Sequence, residues 1–371
     1  MPPIPETMKA AVTHGPGEVK IETVPVPAYE PDQVLVKVVA CGICGTDTHI
    51  LSGHMRPMWP PYYPFIQGHE WAGTVSAIGS GARTSLEIGD RVIMEPTVGC
   101  KVCATCIRGD YHLCEEAAKP GGGYKLLGHT ADGAFSEYGV APPNNLHKLP
   151  ESMGWEEAVI VNQVVIALHA LDRGRVEPAD KVAVIGPGLL GLSVLQIAKA
   201  LGASRTYITG RGYRLEIAKE IGVDVAIDVT KEDPVEAVMA DTGGRGVDLA
   251  VECAGPPEAM RAAVGVVRRG GRVVLEGING GQEVPFNTDR IVLDEITVLG
   301  GRGSPNCYPR AIQLMADGHI DTKKMLTHTY PLDEFNEAMR VVQARETAGP
   351  SWGRSMPRKW PNGSRPRGAW P

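Results

Sequence analysis

The alternation of strand and helix patterns after Lys181 restricts the fold of this chain more than any other sequence feature. Several short apolar segments read as strands: KVAVIG, RTYITG, VDVAID, GVDLAVECAG and GRVVLEG, with ITVLGG (296–301) as a further candidate. Helical patterns stand between them, and the first, LLGLSVLQIAKALG, ends at Gly202. Strands that alternate with helices form βαβ units around a parallel sheet, so the sequence predicts a doubly wound α/β domain.

A glycine-rich turn joins the first of these strands to the first helix. In VAVIGPGLLGL, Gly186, Gly188 and Gly191 form the pattern G-x-G-x-x-G. The first glycine permits a tight turn, the second lets the backbone approach a pyrophosphate, and the third lets helix and strand pack closely. The N–H groups at the helix start, at Leu189 and Leu190, would face the phosphates. The pattern predicts a dinucleotide site, with a glycine turn that binds no ligand as the alternative.

The end of the second strand indicates which dinucleotide this site would accept. An acidic residue about 20 positions after the glycines would bind the ribose 2′-hydroxyl of NAD. Gly210 stands at that place instead, and Arg211 and Arg214 follow it. Arginines without a neighbouring carboxylate can pair with the 2′-phosphate of NADP, so the sequence favours NADP over NAD. The alternative is that both arginines are solvated residues at a helix start.

The region before the α/β domain has a different pattern. Residues 8–150 contain short runs rich in Val and Ile and broken by Gly, Pro and Asp, among them QVLVKVVA (33–40) and AGTVSAIG (72–79). WEEAVIVNQVVIALHAL (155–171) then has an apolar pattern compatible with a helix. A β-rich domain is therefore predicted before the α/β domain, and 371 residues are enough for both.

Four cysteines lie close together in CKVCATCIRGDYHLC. Cys100, Cys103, Cys106 and Cys114 have the spacing C-x2-C-x2-C-x7-C. Four thiolates can surround one tetrahedral zinc ion and leave no position for water, which is typical of a structural site. An iron–sulfur cluster is the alternative, because closely spaced cysteines also ligate those clusters. We expect the metal to order a lobe that has little apolar sequence of its own.

A second group of potential ligands begins in CGICGTDTHI (41–50). Cys44 is a better metal-ligand candidate than Cys41, because Thr46, Asp47 and His49 follow it closely. An alkoxide bound to a metal needs such polar groups nearby to carry its proton away. These three residues are therefore candidate catalytic residues.

Further along the chain, QGHEWAG places His69 and Glu70 side by side. A catalytic zinc needs about three protein ligands and an open position, which these two residues could form together with Cys44. Asp47 could accept the second ring N–H of His69 and fix the orientation of the imidazole. Taken singly, His69 or Cys44 is as readily explained as a satisfied core residue.

Composition indicates the cellular compartment of the protein and excludes some classes of partner. No stretch reaches the roughly 18 apolar residues that a membrane span needs, and the N-terminus, MPPIPETMKAAV, lacks the pattern of a secretory signal. We expect a cytoplasmic protein whose eight cysteines are ligands or core thiols rather than disulfides. The net charge of −6 argues against a general nucleic-acid binder.

Taken together, these motifs resemble the zinc-dependent medium-chain alcohol dehydrogenase family. GICGTDTHI, GHEWAG, the four-cysteine lobe and VIGPGLLGL have the order and distances typical of it, and the polyol and threonine dehydrogenase branch is most similar. The resemblance implies a GroES-like catalytic domain over 1–160, with a structural zinc lobe at 96–116, and a Rossmann domain over 161–300. The chain would return to the catalytic domain over 301–347. Residues 348–371 lack periodicity and are predicted to be disordered.

The resemblance also implies roles for the second group of ligands. Cys44 and His69 would be zinc ligands, and Glu70 would be a ligand or exchange with water. Thr46 and His49 would form the proton relay. The complete enzyme would hold two zinc ions per chain, one catalytic and one structural, and NADP or NAD.

One position departs from the family pattern. The family usually has a further Cys or Glu ligand early in the helix before the Rossmann domain, and Asn162 occupies that position. An amide oxygen is neutral and a poor zinc ligand. The metal would then rely on Cys44, His69, Glu70 and water.

The predicted function is reversible hydride transfer between NAD(P) and a secondary alcohol, a polyol or a hydroxy-amino acid. One alternative is a carbonyl reductase that uses NADPH, and another is a relative that binds the cofactor without turnover. The expected partners are a small alcohol or carbonyl substrate and further copies of the chain in a homodimer or homotetramer. Neither nucleic acid nor a membrane is expected as a partner.

Overall fold

The structure is a computed structural model that describes residues 3–54, 59–117, 119, 122–279, 281–344 and, for the backbone alone, 350–353. Within these ranges no helix combines the length and the apolar character that crossing a membrane requires. The β-rich and α/β regions predicted from the sequence are both present, so the α/β fold class is confirmed.

The first part of the chain folds mainly into short strands. They are β1 (Thr7–Gly15), β2 (Glu18–Pro25), β3 (Val34–Gly42), β4 (Phe65–Ile66), β5 (Glu70–Ile78), β6 (Arg91–Met94), β7 (Thr97–Val98), β8 (Lys125–Leu126), β9 (Tyr138–Ala141) and β10 (Leu146–Lys148). One sheet has the order β2-β1-β4, and β7 pairs with β8. The larger sheet runs β10-β6-β5-β3 in antiparallel pairs, with β9 also paired to β3.

Four helices accompany these strands in the described residues of this part of the chain. They are α1 (Gly45–Leu51), α2 (Ala104–Ile107), α3 (Trp155–Ala158) and α4 (Val161–Gly174), with 3₁₀ turns at Tyr111–Leu113 and Pro143–Asn145. The continuous helix suggested by residues 155–171 is therefore two helices. Val159 and Ile160 form the junction and both are buried, so the apolar pattern continues through a break in the helix.

The second part of the chain is the predicted parallel sheet with its helices. Its elements are β11 (Lys181–Ile185), α5 (Leu189–Ala200), β12 (Arg205–Gly210), α6 (Tyr213–Ile221), β13 (Val225–Asp228), α7 (Pro234–Asp241), β14 (Val247–Glu252), α8 (Pro257–Val266), β15 (Val267–Leu275), α9 (Thr288–Leu293) and β16 (Thr297–Gly300). The order is β13-β12-β11-β14-β15-β16, so the sixth strand is confirmed. The order of the strands reverses beside β11, and ligands bind outside the carboxyl ends of strands at such a point.

The chain then returns to the first part. This segment comprises α10 (Tyr308–Ala316), α11 (Thr322–Met325), β17 (His328–Tyr330), a 3₁₀ turn at Leu332–Glu334, α12 (Phe335–Gln343) and β18 (Pro350–Gly353). β18 pairs with β17 and, antiparallel, with β3. This differs from the predicted disorder over 348–371, because backbone pairing to a sheet requires no apolar periodicity. The rest of that stretch lies outside the described residues.

One apolar core connects the two parts. Ala40, Ala72 and Ile93 of the antiparallel sheet belong to the same buried cluster as Leu168 on α4 and Val182 on β11. α4 therefore packs between the sheets, and its first residues lie close to the carboxyl-terminal end of β3 and the start of β5. This packing places the α4 start beside the candidate metal ligands.

Candidate active site

Cys44 lies where β3 ends and α1 begins. It is the residue that precedes the helix, and its backbone N–H donates to Oδ2 of Asp47 at 2.8 Å. Its Sγ is 3.6 Å from Oγ1 of Thr46. Cys41, by contrast, is fully buried within β3, where its thiol donates to the carbonyl of Gly42. The preference for Cys44 over Cys41 thus agrees with the local structure.

Pairing between β3 and β5 brings the other two candidate ligands to Cys44. Glu70 is the first residue of β5 and lies opposite Gly42 of β3. A Cβ at Gly42 would collide with the Glu70 carboxylate, so the glycine leaves room for this side chain. One ligand atom from each of Cys44, His69 and Glu70 lies within 4.8 Å of the others. The three predicted residues therefore form one cluster.

The charges in this cluster suit a bound cation. Nδ1 of His69 lies 3.4 Å from Oδ1 of Asp47, which leaves Nε2, 3.6 Å from Oε1 of Glu70, as the ring atom that faces the cluster. Burial opposes protonation of His69, but the Asp47 carboxylate prevails and raises the pKa of the imidazole. Burial also raises the pKa of the Glu70 carboxyl. A carboxylate, a thiolate and an imidazole are the ligand types of zinc, so the residues fit that metal.

Asn162 and Gln163, at the start of α4, lie beside the cluster and have different partners. The side-chain oxygen of Asn162 accepts a hydrogen bond from the hydroxyl of Tyr308. Nε2 of Gln163 donates to Oε1 of Glu70 at 2.6 Å, and both residues are buried. Sequence reasoning singled out Asn162 and missed Gln163. The available signal was a second amide at the buried start of an otherwise apolar helix.

The two relay candidates lie on α1. Thr46 is half-buried and close to Cys44, whereas His49 is exposed. Residues three apart lie on one face of a helix. The helix therefore carries a hydroxyl near the cluster and an imidazole in contact with solvent.

The four-cysteine lobe has the geometry of a site for a single ion. All four Sγ atoms lie within 4.8 Å of one another, and the pairs Cys100–Cys106 and Cys103–Cys114 are each 3.9 Å apart. With zinc–sulfur bonds of about 2.3 Å, a tetrahedron places its sulfurs about 3.8 Å apart. Ligands of an iron–sulfur cluster bind different iron atoms and would be more widely separated. The four residues therefore fit one zinc ion.

The glycine-rich turn has the features that its sequence predicts. Gly186 has a φ of +112°, which favours glycine, and a Cβ at Gly191 would collide with the carbonyl of Gly186. Gly188 precedes α5, and a Cβ built on it meets no atom within 4 Å. Leu189 and Leu190 form the first turn of α5 beside this open space. The turn thus offers helix N–H groups to a phosphate from a backbone that a ligand can approach.

The end of β12 lies against this turn. A Cβ at Gly210 would collide with the ring of Pro187, so a larger residue at 210 has no room. Arg211 is exposed, and Nε of Arg214 donates to the hydroxyl of Tyr213 at 3.2 Å. The absence of a carboxylate at position 210 therefore has a steric reason that the sequence did not reveal.

Comparisons with known proteins agree with this architecture. The family profile "Alcohol dehydrogenase GroES-like domain" matches residues 30–151, and the profile "Zinc-binding dehydrogenase" matches residues 190–317. Sorbitol dehydrogenase of Bacillus subtilis (strain 168) is 37% identical over 92% of this chain and 95% of its own length. L-threonine 3-dehydrogenase of Pyrococcus abyssi is 34% identical, again over 92% and 95%.

Solved structures extend the similarity to the cofactor. A zinc-binding dehydrogenase from Sinorhizobium meliloti 1021, solved with NADP, has a TM-score of 0.86 at 29% identity and covers 94% of this chain and 99% of its own. The Escherichia coli CFT073 alcohol dehydrogenase rspB, solved with NADH, has the same score and identity over 94% and 100%. The predicted oxidoreductase function and its nicotinamide cofactor are thereby confirmed at the level of class. This chain is an alcohol or polyol dehydrogenase and belongs to the zinc-dependent medium-chain alcohol dehydrogenase family.

Proposed function

We propose that the chain oxidises a secondary alcohol or polyol reversibly at the cluster of Cys44, His69 and Glu70, with NADP as its preferred cofactor. The observation that carries this proposal is the convergence of the three ligand atoms within 4.8 Å at the junction of β3, α1 and β5. Three protein ligands leave one tetrahedral position for the substrate oxygen, as catalytic zinc sites require.

Each surrounding residue has a separate task. Sγ of Cys44, Nε2 of His69 and an oxygen of Glu70 would bind the zinc, and Asp47 holds the imidazole in place. When bound, zinc supplies Lewis-acid stabilisation of the negative charge on the substrate oxygen. NADP supplies the acceptor for the hydride from the carbinol carbon.

The proton leaves by way of α1. Oγ1 of Thr46 would accept the proton of the substrate hydroxyl while giving up its own, and the exposed imidazole of His49 would take up a proton and pass it to solvent. General acid–base catalysis of this kind contributes about 10²–10⁴-fold to a rate. The close contact between Thr46 and Cys44 supports this path, because the hydroxyl lies beside a metal ligand.

Three features at the turn around Gly210 support the preference for NADP. Pro187 leaves no room for a carboxylate at position 210, and Arg211 is exposed beside it. The 2′-phosphate of NADP would meet Arg211. Arg214, which follows Tyr213 in α6, is the second arginine that could pair with it. Gly210→Asp would force the carboxylate against Pro187, so we expect it to weaken NADP binding without creating an efficient NAD enzyme. Kinetics with both cofactors would measure this.

The four-cysteine lobe is proposed to hold the second zinc ion in a purely structural role.

We also propose a cytoplasmic homo-oligomer. The edge strand β16 ends the six-stranded sheet with Val298 exposed on it, and Val292 and Leu293 on the preceding α9 are exposed as well. Apolar side chains beside a strand edge that pairs with no further strand among the described residues are suited to contact with a second copy.

A panel of alcohols, polyols and hydroxy-amino acids with NADP and with NAD tests the function. We expect reduced nicotinamide to accumulate with at least one secondary alcohol and a lower KM for NADP than for NAD. Comparing the rate of alcohol oxidation with the rate of carbonyl reduction separates a dehydrogenase from a carbonyl reductase. A folded protein with two zinc ions and no turnover on any member of the panel would favour the relative that only binds the cofactor.

A further inference from the structure

The carboxyl group of Glu252 is a buried polar group that the proposed chemistry does not use. Glu252 is the last residue of β14 and is fully buried. Its Oε1 accepts hydrogen bonds from the backbone N–H groups of Ala254 and Gly255, each at 2.7 Å. Glutamate is almost never fully buried unless it is paired, and here it is paired with the backbone that follows it. The side chain therefore fixes the turn over residues 253–255, the β14 turn.

The β14 turn packs against the glycine-rich turn of the dinucleotide site. The N–H of Cys253 donates to the carbonyl of Ile185, the last residue of β11, at 2.9 Å. A Cβ at Gly186 would lie 2.9 Å from Cβ of Ala254, so the first glycine of the pattern leaves room for this turn. Ala254 is exposed, so a ligand at the glycine-rich turn can also reach the β14 turn.

The end of β15 encloses the Glu252 carboxyl group from another side. The N–H of Glu276 donates to the backbone carbonyl of Glu252 at 2.9 Å. A Cβ at Gly277 would collide with the Glu252 carboxyl group and with the backbone nitrogen of Gly255. A Cβ at Gly255, which has a φ of +95°, would lie 2.6 Å from the carbonyl oxygen of Ile278. The carboxyl group thus lies where the ends of β14 and β15 meet.

The sheet order indicates which half of the cofactor lies beside the β14 turn. β11 stands between β12 and β14, so the glycine-rich turn has the end of β12 on one side and the end of β14 on the other. On the β12 side, the N–H of Gly186 donates to the carbonyl of Thr209, next to Gly210, where the adenosine ribose is expected. The pyrophosphate binds at the glycine-rich turn between the two halves of a dinucleotide. The nicotinamide half would therefore extend towards the β14 turn.

We propose that Glu252 is a positioning residue for the nicotinamide half of the cofactor. It binds the N–H groups of Ala254 and Gly255 and so keeps the β14 turn in the place that this half contacts. Because Glu252 is fully buried, it acts through the backbone of the turn and not by touching the cofactor. The inference rests on the nicotinamide cofactor of the family and goes beyond the proposed zinc chemistry, substrate and cofactor preference.

Binding of the whole cofactor and of its adenosine half tests the proposal. Calorimetric titration of the zinc-loaded enzyme measures the Kd of NADP or NAD, whichever binds more tightly. It also measures the Kd of the matching fragment, adenosine 2′,5′-bisphosphate or ADP. Glu252→Met has a side chain of similar length without a strong acceptor, so both N–H groups lose their partner. We expect the Kd of the whole cofactor to rise about 10–100-fold and that of the fragment to change less than about twofold.

A conservative variant and a control on the same strand accompany this measurement. Glu252→Gln keeps one oxygen for both N–H groups, but a neutral oxygen accepts more weakly, so the cofactor Kd should rise only about threefold. Asp248 lies at the opposite end of β14, where its carboxylate accepts from the N–H of Lys181 and from Nε of Arg268. Asp248→Leu should lower stability and change the cofactor Kd by less than about twofold, because it is remote from both turns.

Three results would overturn the inference. The first is a parent-like Kd of the whole cofactor in folded Glu252→Met, and the second is an equal weakening of the fragment. The third is an equal weakening of cofactor binding by Asp248→Leu, which would assign the effect to loosening of the sheet. If Glu252→Met does not fold, Glu252→Gln decides by the same comparison, and an unchanged cofactor Kd would contradict the assigned role. No alcohol is present in these titrations, so failure of the proposed reaction would leave their result unchanged.

Discussion

The two proposed metal sites of this chain are built in opposite ways. The four ligands of the lobe come from one short segment, between Cys100 and Cys114, and its apolar side chains remain in water: Val102 is 76% exposed and Ile107 is 74% exposed. The ligands of the inner cluster come from the ends of two core strands and are held by buried partners on α1 and α4. We therefore expect the lobe to need a metal to keep its shape, whereas core packing should shape the inner cluster before any metal binds.

The chemical difference follows from the number of ligands. Four thiolates fill a tetrahedron and leave no place for a substrate. Three mixed ligands leave one position open, and a hydroxyl and an imidazole lie nearby on α1. We therefore propose that only the inner cluster takes part in the reaction and that the lobe contributes to activity through folding alone.

Removal of an inner ligand should have the largest effect on activity. Cys44→Ser or His69→Ala should lower kcat about a thousandfold or more, because Lewis-acid stabilisation is worth several kcal/mol and each 1.36 kcal/mol is tenfold. Circular dichroism and NADP binding should remain nearly those of the parent protein, because β3 and β5 pair without the metal. Steady-state kinetics and fluorescence titration measure both. Full turnover in both variants would place the reactive metal elsewhere.

Removal of a lobe ligand should act on stability first. Cys103→Ser should lower the free energy of unfolding by about 3 kcal/mol, since loss of a structural metal is among the most damaging single changes. Activity should fall only as the protein unfolds, so a thermal melt and an activity melt should coincide. Cys253→Ala is the control, because this thiol ligates neither site, and it should retain both zinc ions. A Cys103→Ser protein that is fully stable but inactive would reverse the roles of the two sites.

The hydrogen bond from Gln163 to Glu70 tests how far the core prepares the inner cluster. Gln163→Leu should accelerate extraction of the inner zinc by a chelator about tenfold, because partners that orient ligands are worth about 10–100-fold in affinity. The lobe zinc should leave at an unchanged rate. Gln196→Leu, at another buried glutamine on α5, should affect neither ion. Equal extraction rates in Gln163→Leu and the parent protein would show that Glu70 needs no such support.

A pH series should show the most gradual effect, spread over several pH units, and should separate both sites from a third buried group. The ordinary pKa of Glu276 is 4.5, and burial raises it to about 8 in the folded chain. The folded state therefore keeps a proton that the unfolded state releases, so this contribution to stability is complete below about pH 4.5. It falls by about 1 kcal/mol per pH unit as the pH rises to about 8. Urea unfolding of Glu276→Gln should lack this decline, and an unchanged decline would assign it to other groups.

Local patterns predicted most of this architecture, and distant contacts account for what they missed. The alternation after Lys181 predicted the six parallel strands because periodicity is a property of each segment by itself. Cys44, His69 and Glu70 were predicted because their types and order are chemically specific. Gln163 was missed because it belongs to a separate segment and meets the cluster only after folding. Likewise, the sequence shows that position 210 carries no acidic residue. The collision between a Cβ at that position and Pro187, however, is a tertiary contact.

Anomalous diffraction at the zinc edge, from a crystal of the protein purified without chelators, tests the central comparison most directly. We predict two peaks per chain, one within the four sulfurs of the lobe and one among Sγ of Cys44, Nε2 of His69 and the carboxylate of Glu70. The inner peak should disappear in Cys44→Ser while the lobe peak remains. A parent crystal with a filled lobe and no peak at the inner cluster would contradict the assignment of the chemistry to that site.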